Sequence, residues 1–181
     1  MNRSPPFWLS GRLSMVRSML YATDLGLYAP YVMQHALALA RTFNAGLYVV
    51  HVVEPMGLFA ESVLQSYLGE EALQELHGKG VHAFLEGIEQ RMLDGFREEL
   101  GEGHSDLSLI RTVRVVQGEP ASVILEQAHK LEVDLLVLGR HSASAQEGAS
   151  IGRTAARVLQ SSGVPVYLVP IMSKALCQKG C

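Results

Sequence analysis

The stretch "LGRHSASAQEGASIGRTAA", Leu138 to Ala156, sets three glycines and three serines between an apolar run and a helical pattern. Backbone N–H groups of such a loop, followed by a helix N-terminus, can cradle a phosphate. Arg140 and Arg153 bring two cations to the same loop. A cation at a helix start is mildly unfavourable by itself, which favours a bound anion there. A second chemical turn is "TDLG", Thr23 to Gly26, where Asp24 can accept hydrogen bonds from a ribose hydroxyl or a base amine. An acid facing a glycine-serine loop is a division of labour that suits a nucleotide. Residue by residue the alternatives stay open. The loop matches neither GxxxxGK[ST] nor GxGxxG at the first βα turn, and a Gly-Ser-Ala stretch is also what a flexible connection looks like. Asp24 equally fits a helix N-terminal acid, worth roughly 0.3–1 kcal/mol.

The elements that must position these turns alternate along the chain. Met19 to Thr23 is an apolar run that stops at Asp24 and Gly26, and Pro30 then opens a helical pattern. Val32, Met33, Ala36, Leu37, Ala40 and Phe43 form its apolar stripe, with Asn44 and Gly46 as the stop. Leu47 to Val53 is a continuous β-branched run, the pattern of a strand covered on both faces. His51 within it reads as a satisfied core residue. A loop from Glu54 leads to a long charged helix, about Gly69 to Leu100, with Leu73, Leu76, Phe84, Ile88 and Met92 inward and a break near Gly78 to Gly80. Leu109 to Gln117 carries interleaved arginines and reads as an edge strand. Gly118 turns the chain, Pro120 enters a helix with Val123, Ile124, Ala128 and Leu131 inward, and Leu135 to Leu138 is the most apolar strand. A helix from about Gly148 to Ser162, packing Ile151, Ala155, Val158 and Leu159, precedes a last strand, "VPVYLVP". Five strands with helical crossovers predict an α/β fold with a doubly wound parallel sheet, since a barrel needs about eight such units.

Composition narrows the function. Fifteen Lys plus Arg against 18 Asp plus Glu give a net charge of −3 without a dense basic block, which argues against nucleic acid as the partner. No apolar run approaches a membrane span or a secretory signal, so the expected location is the cytoplasm. Cys177 and Cys181 sit at the C-terminal end and read as free thiols. The seven histidines are scattered, and no metal site is expected. Residues 1–17 read as a poorly ordered extension, 18–171 as one domain and 172–181 as a tail.

"LYATDLG", "YVVHVVEP", "VVQGEP", "VDLLVLGRHS" and "VPVYLVP" together resemble the universal stress protein family, in that family's element order. The resemblance implies a five-stranded parallel, Rossmann-like sheet of order 3-2-1-4-5 with helices on both faces. That order would set the first and fourth strands side by side. Nucleotide-binding members carry G-x-x-G-x9-G-[ST], and Gly139, Ser142, Gly152 and Arg153 stand at that spacing here. Two positions differ: Ser142 brings a Cβ where the pattern has glycine, and Arg153 replaces a small hydroxyl residue, with Thr154 next in line. By similarity Asp24 belongs to the adenosine end, Val52 to backbone contacts with adenine, Gly118 to the pocket wall, and Gly139, His141 and Gly152 to the phosphate loop. The candidate site is therefore Thr23, Asp24, Val52, Gly118, Leu138, Gly139, His141, Ser142, Gly152, Arg153 and Thr154.

The expected function is a stress-response regulator that binds ATP or a related adenine nucleotide, with magnesium, between strands 1 and 4. A non-enzymatic protein, or at most a weak ATPase, is expected, because no paired acids, nucleophile-base set or metal cluster appears. The alternative is a homodimeric scaffold with a degenerate pocket. In either case the resemblance implies a homodimer through the last strand. A flavodoxin-like electron carrier shares the topology and would announce itself by a bound yellow flavin.

Overall fold

The computed structural model describes residues 15–55, 57, 62, 66, 80–101, 105–140 and 151–170. The chain runs β1 (Ser18–Thr23), α1 (Ala29–Phe43), β2 (Gly46–Val53), α2 (Val81–Leu100), a short 3-10 turn (Ser105–Leu109), β3 (Ile110–Gln117), α3 (Pro120–Lys130), β4 (Leu135–Gly139), α4 (Arg153–Ser161) and β5 (Val166–Val169). All five strands join one parallel sheet of order β3-β2-β1-β4-β5.

β1 is the centre, and its register explains its composition. Met19 stands opposite Leu47 of β2 on one side and Leu135 of β4 on the other. Successive side chains alternate between the faces, so both must be apolar. Met19, Tyr21, Leu47, Val49 and Val137 enter a core beneath α1 and α2. Leu20, Val50, Leu136 and Leu138 enter a second core beneath α3 and α4. Met19, Leu20, Leu47 and Leu136 are fully buried, each stabilising the fold by about 1.5–3 kcal/mol relative to exposure.

Turns and caps fix where each strand starts. Asn44 adopts a left-handed conformation at φ 51 and its amide donates to the carbonyls of Ala40 and Arg41, ending α1. Gly46 belongs to β2 rather than to the stop; a Cβ there would come within 2.9 Å of the Arg111 side chain. Asp134 ties the start of β1 to the start of β4: its Oδ2 accepts from the amides of Arg17 at 2.8 Å and Ser18 at 3.0 Å and from Ser18 Oγ at 3.1 Å. These bonds, the Arg17 amide foremost, hold the Asp134 carboxyl below the usual aspartate range.

Several residues expected inside lie outside. Phe84 is exposed because the buried stripe of α2 follows Leu85, Ile88, Met92 and Phe96, and Phe84 stands about 100° around the helix from Leu85. Phe43 is exposed on the last residue of α1, at the rim where the chain turns into β2. Ile151 is exposed because α4 begins only at Arg153; Leu159 lies to the side of the Ala155 and Val158 stripe. β3 begins at Ile110, with Leu109 in the preceding 3-10 turn. Gly80 takes the N-cap position of α2, while Leu73, Leu76 and Gly78 lie outside the described residues, as do Gly148, Cys177 and Cys181.

Candidate functional site

After β1 the chain turns to α1 on one face of the sheet, and after β4 it turns to α4 on the other. Neighbouring strands whose connections diverge leave a crevice at their carboxyl ends, where ligands of open α/β sheets bind. Here that crevice is a cleft of ≈ 440 Å³, within the range of small-molecule sites. Thr23 and Asp24 line it from β1, Val52 from β2, Leu138 and Gly139 from β4. Gly152, Arg153 and Thr154 line it from the start of α4. The acid turn and the base of the glycine-serine loop thus border one cavity.

Gly118 is not among the lining residues. It serves the wall indirectly: its amide donates to Val53 O at 3.0 Å, and a Cβ there would fall 2.5 Å from Val123 Cγ2. Only glycine lets the chain pass that close to α3. His141 and Ser142 lie outside the described residues.

The acid turn is held by its own side chains. The Gly26 amide donates to Asp24 Oδ1 at 2.9 Å, and the Leu25 amide donates to Thr23 Oγ1 at 3.1 Å, with Leu25 at φ 55. Gly26 faces the carboxylate so closely that a Cβ would come within 3.0 Å of Asp24 Oδ2. α1 starts only at Ala29 and has no acid in its first turn. Asp24 is therefore a turn carboxylate, exposed, with one oxygen committed to the turn.

The opposite rim carries cations and backbone donors. Arg140 N–H donates to Val169 O and Gly152 N–H donates to Arg140 O, both at 2.9 Å, so the loop is closed at its base. That commits the Gly152 amide and leaves the first turn of α4 to face the cleft. Among the described residues no side chain caps α4, so its leading N–H groups, which have no intrahelical acceptor, offer donors and a partial positive charge. Arg140 and Arg153 line the cleft beside them.

Several lining residues escaped the sequence reading. Tyr21 crosses beneath the cleft and its hydroxyl donates to Ala29 O at 2.9 Å; burial pushes its pKa well above the ordinary tyrosine range, so it is a neutral donor. His51 is half-buried, lines the cleft, and carries Nδ1 2.9 Å from Thr23 O, so it is satisfied without being a core residue. Tyr28 and Glu54 add polar groups, and Pro120 and Ile124 an apolar wall. Their signal was positional, since each sits near the carboxyl end of a strand or the first turns of the helix that follows one. Glu119 steadies that wall as the N-cap of α3. It accepts from the Ser122 hydroxyl at 2.6 Å and the Ser122 amide at 2.9 Å, which lower its pKa, and it pairs with Arg157 of α4 at 3.0 Å.

A parallel sheet of this order with a cleft at its switch point defines a doubly wound α/β protein with a ligand-sized crevice. A model of the universal stress protein family matches residues 15–170, and the chain belongs to that family. It is 28% identical over 156 residues to a universal stress protein of Thermus aquaticus, covering 86% of this chain and 99% of that one. It is 27% identical over 145 residues to universal stress protein MJ0531 of Methanocaldococcus jannaschii, covering 75% and 71%. Among solved structures, hypothetical protein MJ0577 superposes with a TM-score of 0.61 at 22% identity, covering 88% of this chain and 99% of that one. UspA of Lactobacillus plantarum gives 0.60 at 19%, covering 86% and 99%. A universal stress protein solved in complex with cAMP gives 0.50 at 18%, covering 87% and 98%.

Proposed function

We propose that this universal stress protein is a regulator whose cleft between β1 and β4 binds ATP or a related adenine nucleotide. One observation carries this reading: acidic side chains and cationic, hydrogen-bond-donating groups line a single cavity from different strands. Asp24 and Glu54 line it beside β1 and β2, while Arg140, Arg153 and the uncapped start of α4 line it beside β4. The acceptors suit ribose hydroxyls and a base amine, and the donors suit phosphates. The solved relative in complex with cAMP supports an adenine ligand. Arg153 supplies a guanidinium where the family pattern has a small hydroxyl, and a guanidinium binds phosphate by itself. Among the described residues no group of three or more His, Cys, Asp or Glu side chains converges; magnesium therefore belongs on the nucleotide's phosphates, where it commonly keeps most of its ligands as water and phosphate oxygen.

The nucleotide acts as a regulatory ligand whose occupancy shifts the surface offered to partners, rather than as a substrate. The protein works in the cytoplasm as a homodimer through β5, the sheet edge that among the described residues pairs only with β4. Residues 18–171 form the working domain. No helix among the described residues is long and apolar enough to cross a membrane.

Acid extraction of the purified protein tests the reading. Co-purified adenine nucleotide, exchangeable for added ATP in equilibrium dialysis, is the expected result. Protein that is free of nucleotide and takes up none in dialysis would instead be the scaffold with a degenerate pocket.

A further inference from the structure

We infer that a second cavity, between α1 and α2, is a binding site for a small monoanionic amphiphile, in its simplest form a medium-chain carboxylate. The cavity measures ≈ 490 Å³, within the range of small-molecule sites. Met33 of α1 and Ile88, Met92 and Phe96 of α2 give it an apolar wall. Leu25 borders it from the turn after β1 and Pro30 from the first turn of α1. Methionine thioethers adapt to ligands of differing shape. Tyr21, Thr23 and Ala29 line both this cavity and the cleft between β1 and β4, so the two are neighbours with a shared wall. The second site stands whatever the cleft binds.

Gly95 gives the cavity its room. It stands inside α2, where a glycine lowers helix stability relative to alanine. No close approach calls for it, because a Cβ built at Gly95 meets nothing within 4 Å. What the missing side chain leaves is open space on the cavity wall. Arg91 supplies the contact for a head group. It is the one Lys or Arg among the described lining residues, and it is exposed at the rim. Arg97 on the same helix pairs with Asp94 at 3.0 Å, whereas among the described residues none forms an ion pair or hydrogen bond with Arg91. A guanidinium beside an apolar wall suits a carboxylate, which it can bind through two parallel N–H···O bonds. Glu99 limits the charge. It lines the cavity about two helical turns from Arg91, or about 12 Å along the axis, and would repel a second negative group. One anionic end and an uncharged apolar body are therefore favoured, and a polyanion such as a nucleotide is not.

Fluorescence titration of the full chain with anilinonaphthalene sulfonate, a monoanionic amphiphile, tests the site. Saturable binding is expected, with the probe displaced by decanoate at concentrations at least about tenfold lower than by uncharged decanol, and not displaced by ATP. Gly95→Leu fills the cavity with a residue that helices favour and is expected to weaken the probe at least about tenfold. Arg91→Gln, an exposed change that spares the core, is expected to weaken probe and decanoate about fivefold and to leave decanol unchanged. If G95L does not fold, R91Q alone carries the test. Absence of saturable binding, displacement of the probe by ATP, or undiminished binding in every folded variant overturns the site. Loss of binding in G95L with R91Q unchanged overturns the assignment of the anionic head group to Arg91.

Discussion

At the scale of residues, Asp24 and Asp134 show how one carboxylate chemistry serves two ends of the sheet. Asp24 closes the turn after β1 at the carboxyl edge, exposed to the cleft, while Asp134 gathers the Arg17 and Ser18 amides at the amino edge. Bonds from those amides and from the Ser18 hydroxyl stabilise the charged form of Asp134, so its folded pKa lies below the ordinary 3.8. A depressed carboxyl contributes stability that is fully present above the unfolded value and lost as pH falls through the folded one. Asp134→Ala should therefore cost about 1 kcal/mol near pH 7. The gap from wild type, read from urea denaturation, should be constant across neutral pH and should close below pH 3.8. A gap that persists undiminished in strong acid would mean that the carboxylate's charge contributes nothing. His51 marks the limit of reading at this scale. Its type and strand position are visible in the sequence, yet its contact is to a carbonyl 28 residues away in the chain, and a tautomer is fixed only by such a partner.

Elements are where the amino-acid pattern spoke most clearly, and where its errors have simple causes. Leu47 to Val53 and Leu135 to Leu138 were legible as strands because burial on both faces permits an unbroken apolar run. Helix stripes were legible to within one residue of their axis, which is why Phe84 and Leu159 were misassigned while Ile88, Met92, Ala155 and Val158 were not. The joint of β3 and α3 offers a direct test. Gly118 sits where a Cβ would overlap Val123 Cγ2, and Val123 is buried. Gly118→Ala is expected to cost about 1–3 kcal/mol through overpacking. Adding Val123→Ala should recover part of that loss, a coupling that a double-mutant cycle in urea would measure. Strict additivity of the two substitutions would show that the close approach does not limit this turn.

For the whole molecule, strand order is what turns scattered residues into a site. The pairing of Asp24 with Gly139 is invisible along the chain and follows only from β1 lying beside β4; composition and periodicity do not encode that order, and the family resemblance supplied it. The two motif positions that differ, Ser142 and Arg153, are visible in the sequence, but the room they would leave for a phosphate depends on three-dimensional space that no pattern encodes. The same sheet leaves β5 as an edge with Tyr167 exposed, its hydroxyl 3.3 Å from His35 Nδ1 and Tyr31 set edge-on against His35. If β5 is the dimer seam, Tyr167→Asp should convert a dimer into a monomer in sedimentation equilibrium without loss of helical circular dichroism. A dimer unchanged by that charge would put the seam on another face.

The shared cleft is tested most directly by titrating ATP and magnesium into the full-length protein and into Asp24→Ala and Gly139→Val, which alter its two rims separately. Saturable binding is expected, weakened at least about tenfold, or about 1.4 kcal/mol, by either substitution. Binding that neither substitution changes would contradict a nucleotide seated between β1 and β4.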